Sequence, residues 1–152
     1  MTDPTSFSVN SPRFSLPLLF SGQSQKEATV NEALLLADML LHPVVQGIVT
    51  VAPTAPAIGQ SWLVGAGAAG SFAGHDDSIA VWSEGGWRFA KPVPGMRIYD
   101  VGLACHRIWT GIWRFAASPA APSGGAVVDT QARNALAALI ALLKDAAIIS
   151  TT

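Results

Sequence analysis

The spacing of apolar and polar positions changes rhythm several times along this chain of 152 residues. From Met1 to Gly22 no period holds. Pro4, Pro12 and Pro17 each remove a backbone donor and oppose helix, yet Phe14, Leu16, Leu18, Leu19 and Phe20 are apolar. This predicts an extended arm over 1–23 that packs on something else, either its own core or a neighbouring subunit. A helix is predicted over 24–42. Ser24-Gln25-Lys26-Glu27 fits a capping box, in which Ser and Glu satisfy each other's orphan backbone donors, and Thr29 with Glu32 offers a second start. Val30, Ala33, Leu34, Ala37 and Leu41 fall on one stripe, while Leu35, Leu36 and Met39 lie outside it. A helix apolar almost all round is buried on more than one side. Pro43 ends it.

From Ile48 to Ala116 the pattern becomes that of short strands. The candidates are Ile48–Ala52, Ser61–Val64, Ser78–Trp82, Trp87–Lys91, Met96–Asp100, Cys105–Trp109 and Ile112–Ala116, with Gly and Pro clusters between them. They predict a small antiparallel β-domain over 48–116. Within it, Val81 to Ala90 (VWSEGGWRFA) resembles Ile108 to Ala116 (IWTGIWRFA). Each is a strand, a tight Gly-containing turn and a return strand, with Trp on both sides. Trp82 and Trp87 form one pair, Trp109 and Trp113 the other, so two β-hairpins of one design are expected.

A Pro/Gly/Ser-rich linker follows over 117–128. Asp129 is placed to cap a final helix, predicted over 129–149. Its Ala132, Leu136, Leu139, Leu143 and Ala146 are spaced 4, 3, 4, 3, the seam of a heptad repeat. A helix of about two heptads is marginal in water by itself, so it must dock. Self-association into a short bundle is favoured over packing back onto its own sheet. The fold class is therefore α+β: Trp-containing hairpins in a small antiparallel β-domain, flanked by an N-terminal helix and a C-terminal oligomerisation helix.

Composition sharpens the expectation of assembly. Half the residues are hydrophobic and 12% are charged, about half the usual ~25%. A surface this poor in charge is expected to be covered by subunit contacts. The net charge of −1 provides no broad basic field for nucleic acid or anionic lipid. Cys105 is the single cysteine, so no intrachain disulfide framework exists. The N-terminus lacks a basic region followed by an apolar one, and the uncharged run Ala135–Leu143 is shorter than the ~20 residues a bilayer requires. The expectation is a soluble chain assembled in the cytoplasm, touching neither nucleic acid nor membrane.

Four patterns invite a chemical reading. Gly65-Ala66-Gly67-Ala68-Ala69-Gly70 spells GxGxxG after a strand. Dinucleotide binding needs a helix next, with its N-terminus at the pyrophosphate. Here Ser71 to Asp77 is a further Gly-containing turn with no helical period, so a small-residue loop is expected instead. His75-Asp76-Asp77 is read as a polar turn, because three adjacent residues rarely converge on one ion. Cys105 and His106 point to opposite faces of a strand and cannot form a nucleophile–base pair, so a buried Cys and an exposed His are expected. His42 falls at a helix end. The tryptophans admit two readings: core or subunit interface, and a glycan-stacking surface of Trp82, Trp87, Trp109 and Trp113. With no Ser-His-Asp set, carboxylate pair or metal cluster standing out, no enzyme activity, cofactor or metal is expected.

The stretches SPRFSLPLLFSGQSQKEATVNEALLLADML and WLVGAGAAGSFAGHDDSIAVWSEGGW carry a likeness to known sequences. Their marks are Leu16-Pro17, Gly22-Gln23-Ser24-Gln25-Lys26 and Thr29-Val30-Asn31-Glu32-Ala33-Leu34. In these the chain resembles a family of phage-related proteins found in alphaproteobacterial phages, prophages and gene transfer agents. The closing GGAVVDTQARNALAALIALL resembles a terminal oligomerisation segment of phage fibre and spike subunits. The resemblance implies a virion component, a base or adaptor part of a head spike or tail fibre, assembled in the host cytoplasm and without catalysis. It implies a homo-oligomer, trimer first and pentamer second, contacting other virion proteins at a capsid vertex or fibre. Host surface polysaccharide is a further implied partner. The interface is expected at Val30, Leu34 and Leu41 of the first helix and Leu136, Leu139 and Leu143 of the last.

Overall fold

A computed structural model describes Leu18 and residues 26–121, 123–124 and 129–151. Apart from Leu18, which is buried, the expected N-terminal arm lies outside the described residues, as do Ser24 and Gln25 of the capping box. The chain divides into two compact units, one up to Val93 and one from Pro94. The stretch predicted as one β-domain over 48–116 is thus split. The break falls in Lys91-Pro92-Val93-Pro94, where two prolines withdraw the donors a continuing strand would need.

The first unit holds α1 (Lys26–Leu41), β1 (Val44–Val45), β2 (Ile48–Val49), β3 (Ser61–Val64), β4 (Ile79–Ser83) and β5 (Gly86–Ala90). Strands β2 to β5 form a sheet in chain order. The β3–β4 and β4–β5 pairs are antiparallel, as expected. The β2–β3 pair is parallel, with Ile48 opposite Leu63 and Val49 opposite Val64. The segment between them, with Pro53 and Pro56, is no tight turn but a crossover that returns the chain to the start of its neighbour. β1 was not expected from sequence, being two residues long beside Pro43. It is held at the start of β3, where Ser61 Oγ donates to the Val44 carbonyl and the Gln46 N–H donates to Ser61 O at 2.8 Å.

The strand register sorts the side chains onto two faces. Leu63, Ile79 and Val81, all buried, share one face with Arg88. The Arg88 guanidinium meets Glu32 of α1 at 2.9 Å, which ties the helix to this face. The buried positions of α1 are Asn31, Leu35, Asp38 and Met39. The stripe Val30, Leu34 and Leu41 is not the inward side: Val30 and Leu41 are exposed, and Leu34 is half-buried. With apolar residues almost all round, hydrophobicity carried too little contrast to choose a side. The inward side includes two polar residues, Asn31 and Asp38, neither of them without a partner. The second sheet face carries Trp62, Val64, Ala80, Trp82, Trp87 and Phe89.

The second unit holds β6 (Arg97–Asp100), β7 (Cys105–Trp109), β8 (Trp113–Phe115) and α2 (Thr130–Asp145). The three strands run as an antiparallel meander. Asp129 caps α2 as expected, its carboxylate accepting from the Ala132 N–H at 2.9 Å. The helix stops at Asp145, short of the predicted 149. Ala147 turns the chain with φ 54°. Ile149 then bridges Ala116 in parallel, and the Ser150 N–H donates to Ala116 O at 2.8 Å. The β-branched Ile148-Ile149 pair prefers an extended backbone to another helical turn. Ile149 and Ser150 are buried there, whereas no side chain of α2 is buried.

Candidate functional site

The glycine run is a loop, as expected, and the chain itself supplies acceptors for the Gly65, Gly67, Ala68 and Ala69 N–H groups. The Asp76 carboxylate accepts from the Gly67 N–H at 2.9 Å and from the Ala68 N–H at 3.3 Å. These two N–H groups are thus matched by the chain's own carboxylate. The loop needs glycine at Gly67 (φ 71°), Gly70 (φ 61°) and Gly74 (φ 78°), conformations that cost other residues dearly. A 3-10 turn over Gly70–Phe72 aims Phe72 into the sheet. Phe72 is fully buried and packs with Val64 and Ala80. Its ring stands edge-on to Trp87 at 4.8 Å and to Phe89 at 5.8 Å. His75 stacks flat on Phe89 at 3.7 Å, 9° from parallel. The His-Asp-Asp turn therefore closes the loop over a core. Sequence reasoning did not single out Phe72. The available signal was a lone aromatic among small residues.

The two Trp hairpins have the shared design expected of them. In β4–β5, Trp82 faces Trp87 across the strands, with ring centroids 5.1 Å apart and planes at 60°. In β7–β8, Trp109 faces Trp113, at 5.3 Å and 59°. Gly86 (φ 98°) and Gly111 (φ 97°) supply the turns. The pairs belong to different units. Trp87 is further committed to the core, edge-on to Trp62 at 5.7 Å. Trp82, Trp109 and Trp113 are each half-buried.

Cys105 is fully buried and His106 exposed, on opposite faces of β7 as expected. His106 Nδ1 donates to the Ala147 carbonyl at 3.1 Å, which anchors the ring to the C-terminal segment. Burial pushes the Cys105 thiol above its ordinary value; the nearby Asp100 carboxylate adds to this and Arg107 opposes it. Arg107 and Asp100 form a buried ion pair at 2.7 Å, and the Arg107 guanidinium lies 5.0 Å from the centre of the Phe115 ring. Among the described residues no three His, Cys, Asp or Glu side chains group as metal ligands, and no helix is long and apolar enough to cross a membrane.

Of the expected interface positions, Val30, Leu41, Leu136 and Leu139 are exposed and Leu34 and Leu143 are half-buried. Leu136 is 48% exposed and Leu139 is 51% exposed, with Leu143 half-buried beside them. Leu142, next to the seam, is 65% exposed. In the first unit, Val30 and Leu41 face outward on α1.

On residues 30–114, from α1 through the second Trp hairpin, the chain belongs to a family of proteins of unknown function, DUF2793. The match stops short of α2. No curated protein and no solved structure shows a significant match.

Proposed function

We propose that this chain is a structural subunit that assembles with copies of itself through α2, as the base or adaptor of a phage or gene-transfer-agent head spike or tail fibre. The observation that carries the reading is α2 itself: 16 residues with no buried side chain and a leucine seam about half exposed. Burying a leucine fully contributes about 1.5–3 kcal/mol. Covering what remains of Leu136, Leu139 and Leu142 therefore offers roughly 1 kcal/mol or more each, multiplied by the number of chains. A helix this short needs such cover to persist. The heptad spacing suits an identical partner, because like seams interdigitate as knobs into holes. The placement on a particle rests on the sequence motifs around Gly22-Gln23 and Asn31-Glu32. Light scattering coupled to size exclusion on the full chain tests assembly, with a trimer expected. A chain that stays monomeric at tens of micromolar and is missing from purified particles by mass spectrometry ends the proposal.

A second reading is favoured by the half-buried Trp82, Trp109 and Trp113. Indole faces that keep some solvent access suit stacking on sugar rings, and a host surface polysaccharide is the natural ligand class. Trp87 is half-buried too, with part of its ring taken up by Phe72 and Trp62. Binding on a glycan array that Trp109→Ala and Trp113→Ala both abolish supports this reading; binding indifferent to both removes it.

A further inference from the structure

The two hairpins repeat the run Trp-Arg-Phe-Ala, at 87–90 and 113–116, but treat its arginine differently. In the first unit Arg88 is matched by Glu32 at 2.9 Å. In the second, Arg114 meets no described carboxylate; its Nε donates to Thr110 Oγ1 at 3.2 Å. Register places Arg97 opposite Ile108 and Ile108 opposite Arg114. The two arginines thus flank Ile108 in one row on one face of the meander, two strand spacings or about 10 Å apart at the backbone. Both are exposed, and no described carboxylate forms an ion pair with Arg97 either. They line an open cleft of about 360 Å³ that His106 and Arg107 also border. Arg107 is already neutralised by Asp100. Asp100 does not border the cleft, and nor does any other described carboxylate. The apolar part of the wall beside these arginines is formed by Ile108 and Ile148; Phe115, which alternates with Arg114 along β8, lies on the other face with Arg107.

Cations sharing one concave surface repel one another, and a cleft wall of low polarity strengthens their field. An anion relieves both. Arginine presents a planar fork that matches an oxyanion through paired hydrogen bonds. We infer that this cleft binds a small organic anion, with a carboxylate or phosphate group held between Arg97 and Arg114 and an apolar body laid on Ile108 and Ile148. This site is separate from the α2 seam and goes beyond the assembly reading.

Benzoate, phenyl phosphate, inorganic phosphate and benzyl alcohol are titrated into the full chain. Heat is followed by calorimetry and the Arg Nε–H resonances by NMR. Benzoate or phenyl phosphate should bind saturably and move the signals of Arg97 and Arg114. Benzyl alcohol should do neither. Arg97→Gln with Arg114→Gln should weaken binding at least about tenfold, the loss expected of charge-assisted hydrogen bonds. The paired Lys variants should recover part of it, since charge returns without the fork. Both side chains are exposed, so an unchanged circular dichroism spectrum is expected of every variant. Absence of saturable binding by either organic anion overturns the site, and so does undiminished binding by the double Gln variant. Inorganic phosphate binding as tightly as phenyl phosphate overturns the role of the apolar wall.

Discussion

Replacing Phe72 by alanine tests whether the glycine-rich loop is a core-closing element. The side chain is fully buried and packs against Val64 and Ala80. Phe→Ala in a core costs about 3–5 kcal/mol, combining lost transfer energy with the cavity left behind. Phe72 also makes two edge-on ring contacts, to Trp87 and Phe89, each contributing about 0.5–1.5 kcal/mol beyond area burial. The loop's three positive-φ glycines (Gly67, Gly70 and Gly74) let it relax partly into the space, which offsets some of this. A loss of about 4 kcal/mol is the expectation. In a unit of this size, that lowers the melting temperature by roughly 15–30 °C. Urea unfolding followed by tryptophan fluorescence measures it directly, because Trp62, Trp82 and Trp87 all lie in the same unit. Phe72→Leu, which keeps most of the volume, should lose less than half as much. A loss below about 1 kcal/mol for Phe72→Ala would refute the reasoning, since a surface loop shows costs of that order.

Asp76→Ala frees the Gly67 and Ala68 N–H groups and should cost about 1 kcal/mol in the same urea assay, an exposed backbone cap being of modest worth. Leu139→Asp should leave the circular dichroism of the chain unchanged, because the side chain is 51% exposed in the single chain, yet abolish its association in light scattering, where a buried unpaired carboxylate costs several kcal/mol. Asp100→Ala strands the Arg107 guanidinium in a buried site and should destabilise the second unit by about 3–5 kcal/mol in thermal melts. The Cys105 thiol, raised chiefly by burial, keeps its proton longer in the folded chain than in the unfolded one. Its contribution to stability is complete below the unfolded value near 9.0 and is lost as pH climbs through the folded value. Wild type should therefore lose stability relative to Cys105→Ala above about pH 9 in urea titrations across that range.

What sequence alone determined here is mostly local. Ser61–Val64 and Cys105–Trp109 emerged as strands with their observed bounds, because β-branched and aromatic runs between Gly and Pro clusters leave the backbone few alternatives. The Trp-Arg-Phe-Ala repeat foretold two like hairpins, since cross-strand pairing needs only neighbours a few residues away. Asp129 marked the start of α2 through one side-chain bond in its own first turn. The buried Cys105 and exposed His106 followed from alternation alone. Tertiary structure decided whatever depends on residues distant along the chain. It chose Asn31, Leu35, Asp38 and Met39 as the inward side of α1, a choice that a helix apolar almost all round left undecided. It laid β2 parallel to β3, ended α2 at Asp145 so that Ile149 reaches Ala116, and brought Phe72 down onto Trp87. The same cause put Arg97 and Arg114 in one row: register between strands is set by how the whole sheet packs, and no period within a single strand records it.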